Sequence, residues 1–215
     1  MKNLNSTKTK TLKIDPASPD GETIKFAAEL LQSGALVAFP TETVYGIGAN
    51  STDDDAVKKL KIAKKRPADK PFTIHISNTE MINDMRCEIT PLARTLIKNF
   101  WPGPLTIILN QKTEDNETRK LGFRMPKNRI AMALISESGL PLAVPSANIS
   151  GEKPPTNANE VLEKFDGKID LILDGGETEV GRESTVVDTT VFPYKILRQG
   201  AIGEEEISDI WKEAT

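Results

Sequence analysis

Short apolar segments alternate with amphipathic segments along most of this chain, and this alternation restricts its fold more than any other feature. The runs ALVAF, FTIHI, LTIILN and DLILD have the length and the branched residues of buried strands. GETIKFAAELLQSG places its apolar residues on one helical face and ends at a glycine. The alternation predicts an α/β fold. Short gaps between the late strands STVVDTT and YKILRQG predict antiparallel pairs, so the sheet should be mixed.

The same two patterns predict the remaining elements. Helices are expected over 52–65, 91–100, 129–137 and 158–165, with a last one after Gly203, and strands are expected at LGFRM and PLAVP. Thr52 is the expected cap of the first of these helices, because a threonine followed by acidic residues suits a helix N-terminus. No internal repeat or linker-like segment interrupts the pattern, which indicates one domain.

Composition narrows the class of protein. The chain has 215 residues, a net charge of −3 and 27% charged residues, as is ordinary for soluble globular proteins. A single cysteine, Cys87, excludes an internal disulfide, and a single histidine, His75, argues against a Cys/His zinc site. No run reaches the roughly 18 apolar residues that span a bilayer, and the polar N-terminus MKNLNSTKTKTLKI does not resemble a secretory signal. We therefore expect a cytoplasmic protein without membrane association.

Polar and cationic side chains cluster where four of the predicted strands begin or end. Thr41, Glu42 and Thr43 follow ALVAF after one proline, Pro40. The other clusters are KKRPADKP before FTIHI, SANISG after PLAVP, and Ser184 and Thr185 with Arg198 near the end of the chain. Ligands of α/β folds bind at the ends of sheet strands, and nearby arginines and lysines suit a polyphosphate.

Each cluster taken alone also has a structural interpretation. A TET segment after a strand is more often turn chemistry than a ligand site, and the lysines of 58–65 can form a solvated helix face. PSANISG can be a proline-bounded turn, and a single histidine on a strand is usually structural. The chain has neither a Walker A nor a G-x-G-x-x-G sequence that would identify a nucleotide site. The clusters therefore indicate a function only in combination.

Seven motifs in a fixed order provide that combination: PTETVYGIG, KxRPxxKP, FWPGPLT, RMP, PSANISG, GxxSTVVD and RQGAIG. In this succession they resemble the YrdC family, the threonylcarbamoyl-AMP synthases, from about Gly21 to Gly203. The resemblance implies one YrdC-like catalytic domain over 21–203, with a twisted mixed parallel and antiparallel sheet flanked by helices. Residues 1–20 would then be an N-terminal extension and residues 204–215 a C-terminal helix, as in the short, single-domain form of the family.

The resemblance also implies an activity. Family members are nucleotidyltransferases that make L-threonylcarbamoyladenylate from L-threonine, bicarbonate and ATP, with release of diphosphate. The product supplies the threonylcarbamoyl group of the adenosine next to the anticodon in ANN-decoding tRNAs, so downstream threonylcarbamoyl-transferase proteins are expected partners. Direct tRNA binding is expected to be weak. Mg²⁺ that bridges the phosphates of ATP is the expected cofactor, with few direct protein ligands and no residue assigned to it.

The resemblance also implies which residues form the site, at the positions where this sequence matches the family motifs. Thr43, His75, Arg124 and Ser184 would surround L-threonine, with the backbone of Val144 nearby. Arg124 would pair with the substrate carboxylate, while His75 and Ser184 would hold the amino and hydroxyl ends. ATP would be held by Lys64, Arg66, Lys70, Ser146, Asn148 and Arg198, with Lys120 and Pro154 at its margin. The implied mechanism is positioning and charge stabilisation, without a protein nucleophile.

Two other functions fit parts of the sequence. In an RNA-binding module the KxR cluster could contact a phosphate backbone, although the net charge of −3 and the aromatic content of 5% argue against strong RNA affinity. A YciO-type paralogue would share the fold without this activity. The intact KxR, SxN and late ST motifs favour the synthase over both.

Overall fold

The structure is a computed structural model that describes residues 8–67, 70–115 and 117–214. Its elements, in chain order, are β1 (Lys10–Lys13), α1 (Gly21–Gln32), β2 (Val37–Pro40), β3 (Tyr45–Asn50), α2 (Asp54–Lys64), β4 (Thr73–His75), α3 (Glu80–Asp84), α4 (Pro91–Phe100), β5 (Leu105–Lys112), β6 (Thr118–Arg124), α5 (Arg129–Ser138), β7 (Leu142–Ala143), α6 (Ala158–Phe165), β8 (Leu171–Asp174), β9 (Thr185–Asp188), β10 (Lys195–Arg198) and α7 (Glu204–Ala214). Apart from the differences given below, the predicted helices and strands agree with these elements to within a few residues.

A mixed sheet organises the fold. Within the described ranges its ten strands follow the order β1-β8-β2-β3-β7-β4-β6-β5-β9-β10. Four neighbouring pairs are parallel: β1 with β8, β2 with β8, β4 with β6, and β5 with β9. The other neighbouring pairs are antiparallel. The predicted α/β class with a mixed sheet is confirmed, as is the antiparallel pairing of the two late strands β9 and β10.

Helices cover both faces of this sheet. Val37 and Phe39 of β2 belong to one buried apolar cluster, and Ala38 between them belongs to another on the opposite face. α1 and α5 pack on the Phe39 face, and α2, α4, α6 and α7 contribute to the other cluster. Because these strands are buried on both sides, they appear in the sequence as continuous apolar runs. None of the helices in the described residues is long and apolar enough to cross a bilayer.

The start of α2 differs from the prediction. Asp53 caps the helix in place of Thr52: its Oδ1 accepts hydrogen bonds from the backbone N–H groups of Asp55 at 2.9 Å and Ala56 at 3.2 Å. Thr52 instead donates its hydroxyl to Oδ1 of Asn50 at 2.8 Å. Threonine and aspartate are both good caps, so adjacent candidates compete and the local hydrogen bonds decide between them.

The predictions omit β1, β3 and α3. β1 lies within the interval expected to be an extension and pairs with β8 at the edge of the sheet, while residues 1–7 lie outside the described residues. β3 is the buried segment YGIGAN, and its two glycines are required by packing. A Cβ atom at Gly46 would lie 2.5 Å from Cγ1 of Val144, and one at Gly48 would lie 2.8 Å from Cε1 of Phe39.

Candidate active site

A polar cavity lies where several strands begin or end. His75 ends β4, Arg124 ends β6, and Ser184 immediately precedes β9. Val144 follows β7, and Thr43 lies in the turn between β2 and β3. All the residues expected around L-threonine therefore line one cavity, although they are far apart in the sequence. The sheet brings them together, because the carboxyl ends of the parallel strands β4 and β6 meet at the same edge.

A buried ion pair between Arg124 and Glu42 lies beside the cavity. Nη2 of Arg124 is 2.8 Å from Oε2 of Glu42 and donates a 2.9 Å hydrogen bond to Oγ1 of Thr43. The two charged side chains are 5% and 4% exposed. Burial lowers the pKa of Arg124, and the Glu42 carboxylate opposes this shift, so the guanidinium stays charged. The fixed guanidinium is suited to a substrate carboxylate.

Glu42 is a residue that the sequence predictions left out of the site. Its position between two threonines, directly after a buried strand, was the available signal, because an acid at such a place must find a cationic partner when the turn is buried. The structure supplies Arg124 as that partner.

His75 is fully enclosed next to Arg124. The two residues lie opposite each other in the register of β4 and β6, and His75 is 3% exposed. Burial, with the Arg124 charge as a second cause, lowers the pKa of His75 well below its usual range. The imidazole is therefore neutral at pH 7 and can donate from one nitrogen and accept at the other. It can hydrogen-bond a polar ligand without adding positive charge to the cavity.

The turn between β2 and β3 supplies two linked hydroxyls. Oγ1 of Thr41 donates to the carbonyl of Val44 at 2.7 Å, and it lies 2.8 Å from Oγ1 of Thr43. Since the Thr41 proton is used on Val44, Thr43 donates to Thr41 and accepts from Arg124. The segment is a hydrogen-bonded turn, as its structural interpretation predicts, and its side chains also line the cavity.

Arg198 closes another side of the cavity. Its Nε donates to the carbonyl of Ser184 at 3.1 Å, its Nη2 to Oγ of Ser184 at 3.0 Å, and its Nη1 to Oε1 of Glu183 at 2.8 Å. The Ser184 hydroxyl lies 2.9 Å from that of Thr106. Glu183, which lines the cavity, and Thr106, which supports Ser184, were absent from the predicted site. Glu183 immediately precedes STVVD and Thr106 pairs with Val186 of that strand, and neither position carries a distinct sequence signal.

Lys64 and Asn148 organise the loop that carries Ser146. The ammonium of Lys64, whose residue is 2% exposed, donates to the carbonyl of Ser146 and, at 2.5 Å, to that of Asn148. Burial, followed by the charge of Arg66, lowers the pKa of Lys64 to about 8. Oγ of Ser146 donates to Oδ1 of Asn148 at 2.6 Å, and the Asn148 amide donates to the carbonyl of Glu152 at 2.7 Å. Ser146 lines the cavity, whereas Lys64 and Asn148 are not among its lining residues.

Arg66 does line the cavity, beside the aromatic ring of Phe72. Its guanidinium carbon lies 5.1 Å from the centre of that ring, and its Nη2 donates to the carbonyl of Pro71 at 2.8 Å. Burial, and then the charge of Arg198, lowers the pKa of Arg66. Arg66 and Arg198 both line the cavity, and their like charges repel each other.

Three other residues expected near ATP lie away from the cavity. Lys70 is exposed, and its carbonyl accepts a hydrogen bond from Nε of Arg66 at 3.3 Å. Lys120 forms an ion pair with Asp188, with 2.9 Å between Nζ and Oδ2. Pro154 lines a neighbouring pocket together with Asn148. The roles predicted for these residues in nucleotide binding remain predictions.

The charges of the cavity favour an anionic ligand. Among its lining residues are Arg66, Arg124 and Arg198, and Glu183 supplies the one lining carboxylate in the described part of the chain. No cluster of three or more His, Cys, Asp or Glu side chains suited to a metal ion occurs in the described residues. Arginine side chains bind phosphate and carboxylate groups with paired hydrogen bonds. The fold and the cavity thus define a ligand-binding α/β domain suited to a polyphosphate together with a small carboxylate.

Comparison with known proteins gives the family. The model of the Sua5/YciO/YrdC family, described as "Telomere recombination", matches residues 29–200, and the chain belongs to this family. It is 48% identical over 192 residues to the threonylcarbamoyl-AMP synthase of Pyrococcus abyssi, covering 87% of this chain and 56% of that protein. It is 45% identical over 202 residues to the threonylcarbamoyl-AMP synthase of Bacillus subtilis, covering 91% and 58%. The chain thus spans little more than half the length of these relatives.

A solved structure extends the comparison to three dimensions. The crystal structure of P. abyssi Sua5 complexed with L-threonine superposes with a TM-score of 0.89 at 45% identity. The match covers 94% of this chain and 61% of that one. The expected YrdC-like fold is therefore confirmed.

Proposed function

We propose that this chain is a nucleotidyltransferase that makes L-threonylcarbamoyl-AMP from L-threonine, bicarbonate and ATP and releases diphosphate. The observation that carries the proposal is one cavity in which buried Arg124, with the hydroxyls of Thr43 and Ser184, adjoins the cationic pair Arg66 and Arg198. The first group is suited to an amino acid and the second to phosphates. The names of the two relatives and the L-threonine complex of P. abyssi Sua5 support this assignment.

The reaction needs two bond-forming steps. The neutral amine of L-threonine attacks bicarbonate, giving N-carboxy-threonine and water. A carboxylate oxygen of this intermediate then bonds to the α-phosphorus of ATP, and the bond from that phosphorus to the diphosphate oxygen breaks. Arg124 would fix the threonine carboxylate, and Arg66 and Arg198 would stabilise the negative charge on the departing diphosphate. Neutral His75 would hold a polar end of the amino acid without competing for the phosphates.

Mg²⁺ fits this reaction as a companion of ATP. Among the residues that the structure describes, the cavity has one carboxylate, that of Glu183, and several hydroxyls, whereas a cage of protein ligands needs several oxygen donors with negative charge. The phosphates of ATP would supply most of the ligands, and the cation would neutralise their charge. The protein would therefore supply few direct ligands to Mg²⁺.

The product suggests the wider role. Threonylcarbamoyl-AMP would pass its threonylcarbamoyl group, through downstream transferase proteins, to the adenosine next to the anticodon of ANN-decoding tRNAs. We place this activity in the cytoplasm, in keeping with a single cysteine and a tRNA-directed product. If the chain is instead an RNA-binding or YciO-type paralogue without this activity, the assay described next should detect no L-threonine-dependent diphosphate release.

The test is diphosphate release from ATP, measured with and without L-threonine and bicarbonate. We expect release to require both, and mass spectrometry to identify threonylcarbamoyl-AMP. Release that is independent of L-threonine, or no release at all, would contradict the proposal.

A matched pair of variants tests the nucleotide side of the site. Arg66→Ala removes a charge-assisted phosphate contact, so ATP affinity should fall about ten- to a hundredfold. Arg94→Ala removes the same charge from an exposed position on α4 and should leave ATP affinity unchanged. Equal ATP affinity in folded Arg66→Ala and wild-type protein would remove Arg66 from the proposed site.

A further inference from the structure

Each nitrogen of the Arg198 guanidinium group donates a hydrogen bond within the protein. Nη1 donates to the Glu183 carboxylate, and Nε and Nη2 donate to the carbonyl and hydroxyl of Ser184. These bonds use three of the five guanidinium N–H groups, so a phosphate that binds through Nη1 competes with the Glu183 carboxylate for that nitrogen. The contact with Glu183 is the one that opposes a phosphate electrostatically, because both ligands are anions.

Glu183 also acts on the other cations of the site. The charge of Arg198 disfavours the charged form of Arg66, and the Glu183 carboxylate favours it. Glu183 has the same stabilising effect on the charged forms of Lys64 and Arg124. Its side chain is 33% exposed and that of Arg198 is 41% exposed, so both can rearrange without opening the core. One carboxylate thus reduces the mutual repulsion of several cations.

We propose that Glu183 is a built-in counter-ion of the cavity, which occupies Arg198 until the phosphates of a nucleotide or of diphosphate displace it. In this role Glu183 stabilises the cationic cluster in the absence of ligand and lowers the affinity of the cavity for polyphosphates. Diphosphate, the leaving product, would be retained less strongly as a result. This inference deepens the proposed function, from which the identity of the polyphosphate is taken.

The test measures binding of inorganic diphosphate, without turnover, to the wild-type chain and to Glu183→Gln by calorimetry at fixed ionic strength. Glu183→Gln keeps the size of the side chain and removes its charge. Diphosphate should bind about tenfold more tightly to Glu183→Gln, because Arg198 is released and a nearby anion is lost. Glu183→Asp keeps the charge and should bind diphosphate like the wild type, within about threefold.

Three controls separate the counter-ion effect of Glu183 from other causes of a change in affinity. Glu137→Gln makes the same change of net charge at an exposed position on α5 and should leave diphosphate affinity unchanged. In an Arg198→Met background, Glu183→Gln should gain much less affinity than it does in the wild type. Adenosine, which lacks phosphate, should bind equally to wild type and Glu183→Gln, so a general disturbance of the site would be visible.

Several outcomes would overturn the proposal. These are unchanged or weaker diphosphate binding to folded Glu183→Gln, an equal gain in Glu137→Gln, and no diphosphate binding to either protein. A loss of affinity in Glu183→Gln that occurs with Mg²⁺ present would make Glu183 a metal ligand instead. The binding experiment requires no turnover, so its result is independent of the activity assay. Tighter diphosphate binding to Glu183→Gln would support the counter-ion even if L-threonine-dependent diphosphate release is not observed. Conversely, such release would support the proposed function even if diphosphate binds equally to both proteins.

Discussion

Lys64 is a buried lysine whose ammonium is held by main-chain carbonyls. Its hydrogen bonds to Ser146 and Asn148 connect the end of α2 with the loop after β7. Lys64→Met keeps a side chain of similar length and leaves both carbonyls without this donor. We expect the free energy of unfolding to fall by about 1–3 kcal/mol. Lys65→Met, at the exposed next position, should change it by less than about 0.5 kcal/mol in the same urea titrations. Equal losses would contradict the linking role.

The pKa of Lys64 adds a pH dependence to this difference. Burial lowers the pKa to about 8 from the ordinary value of 10.5, so the folded protein releases this proton at lower pH than the unfolded chain does. Stability from this group must therefore increase as pH rises from about 8 toward 10.5, where the unfolded chain binds more protons. The difference between the two free energies of unfolding, wild type minus Lys64→Met, should therefore increase over this pH interval. A flat difference would indicate an ordinary pKa.

Hydroxyl recognition gives a prediction of amino-acid selectivity. Thr43 and Ser184 line the cavity next to neutral His75, so the site can bond the substrate hydroxyl as well as its amine. L-Valine, which is nearly the same shape but lacks the hydroxyl, would leave these groups unpaired at a cost of several kcal/mol. L-Serine lacks a methyl group, worth roughly 1–3 kcal/mol, and should be the better alternative substrate. Diphosphate release at fixed ATP and bicarbonate measures the order, and equal rates for valine and serine would contradict it.

At the scale of elements, the cap of α2 can be tested directly. Asp53 accepts two backbone N–H groups of the first turn, whereas Thr52 bonds Asn50 outside the helix. Asp53→Ala should lower the free energy of unfolding by about 0.5–2 kcal/mol, since the N–H groups lose their acceptor. Thr52→Ala should cost less than about 0.5 kcal/mol. Thermal or urea unfolding of the two variants decides which residue is the cap, and the reverse order would restore Thr52.

Elements that carry their own signal were predictable from the sequence, and elements that depend on partners were not. α4 begins at a proline and α5 ends before a glycine, and both were predicted closely because these signals are local. β3 contains two glycines that weaken a strand pattern, and its strand conformation is explained by the close approach of Val144 and Phe39. β1 consists of four residues, KTLK, and is a strand because β8 offers it an edge.

Across the whole molecule, the sequence could indicate which segments meet, but not how each side chain is used. Ordered motifs located the cavity, because the ends of the strands in an α/β sheet converge. They did not distinguish Arg66, which lines the cavity, from Lys64, which lies two positions earlier in the chain and donates to buried main-chain carbonyls. Glu42 and Glu183 were missed for a related reason. Their importance comes from arginines that are distant in sequence, and a single sequence does not reveal such pairs.

The overall charge of the chain leads to the last prediction, which concerns RNA. The chain carries a net charge of −3, and within the KxR motif Lys64 is buried while Arg66 lines the cavity. Little of this motif is therefore available for a phosphate backbone outside the cavity. We expect full synthesis of threonylcarbamoyl-AMP without RNA, and weak tRNA binding that falls steeply between about 50 and 200 mM salt. Fluorescence anisotropy with labelled tRNA measures the binding, and product analysis without RNA measures the activity. Product that forms only after tRNA is added would show that RNA completes the site.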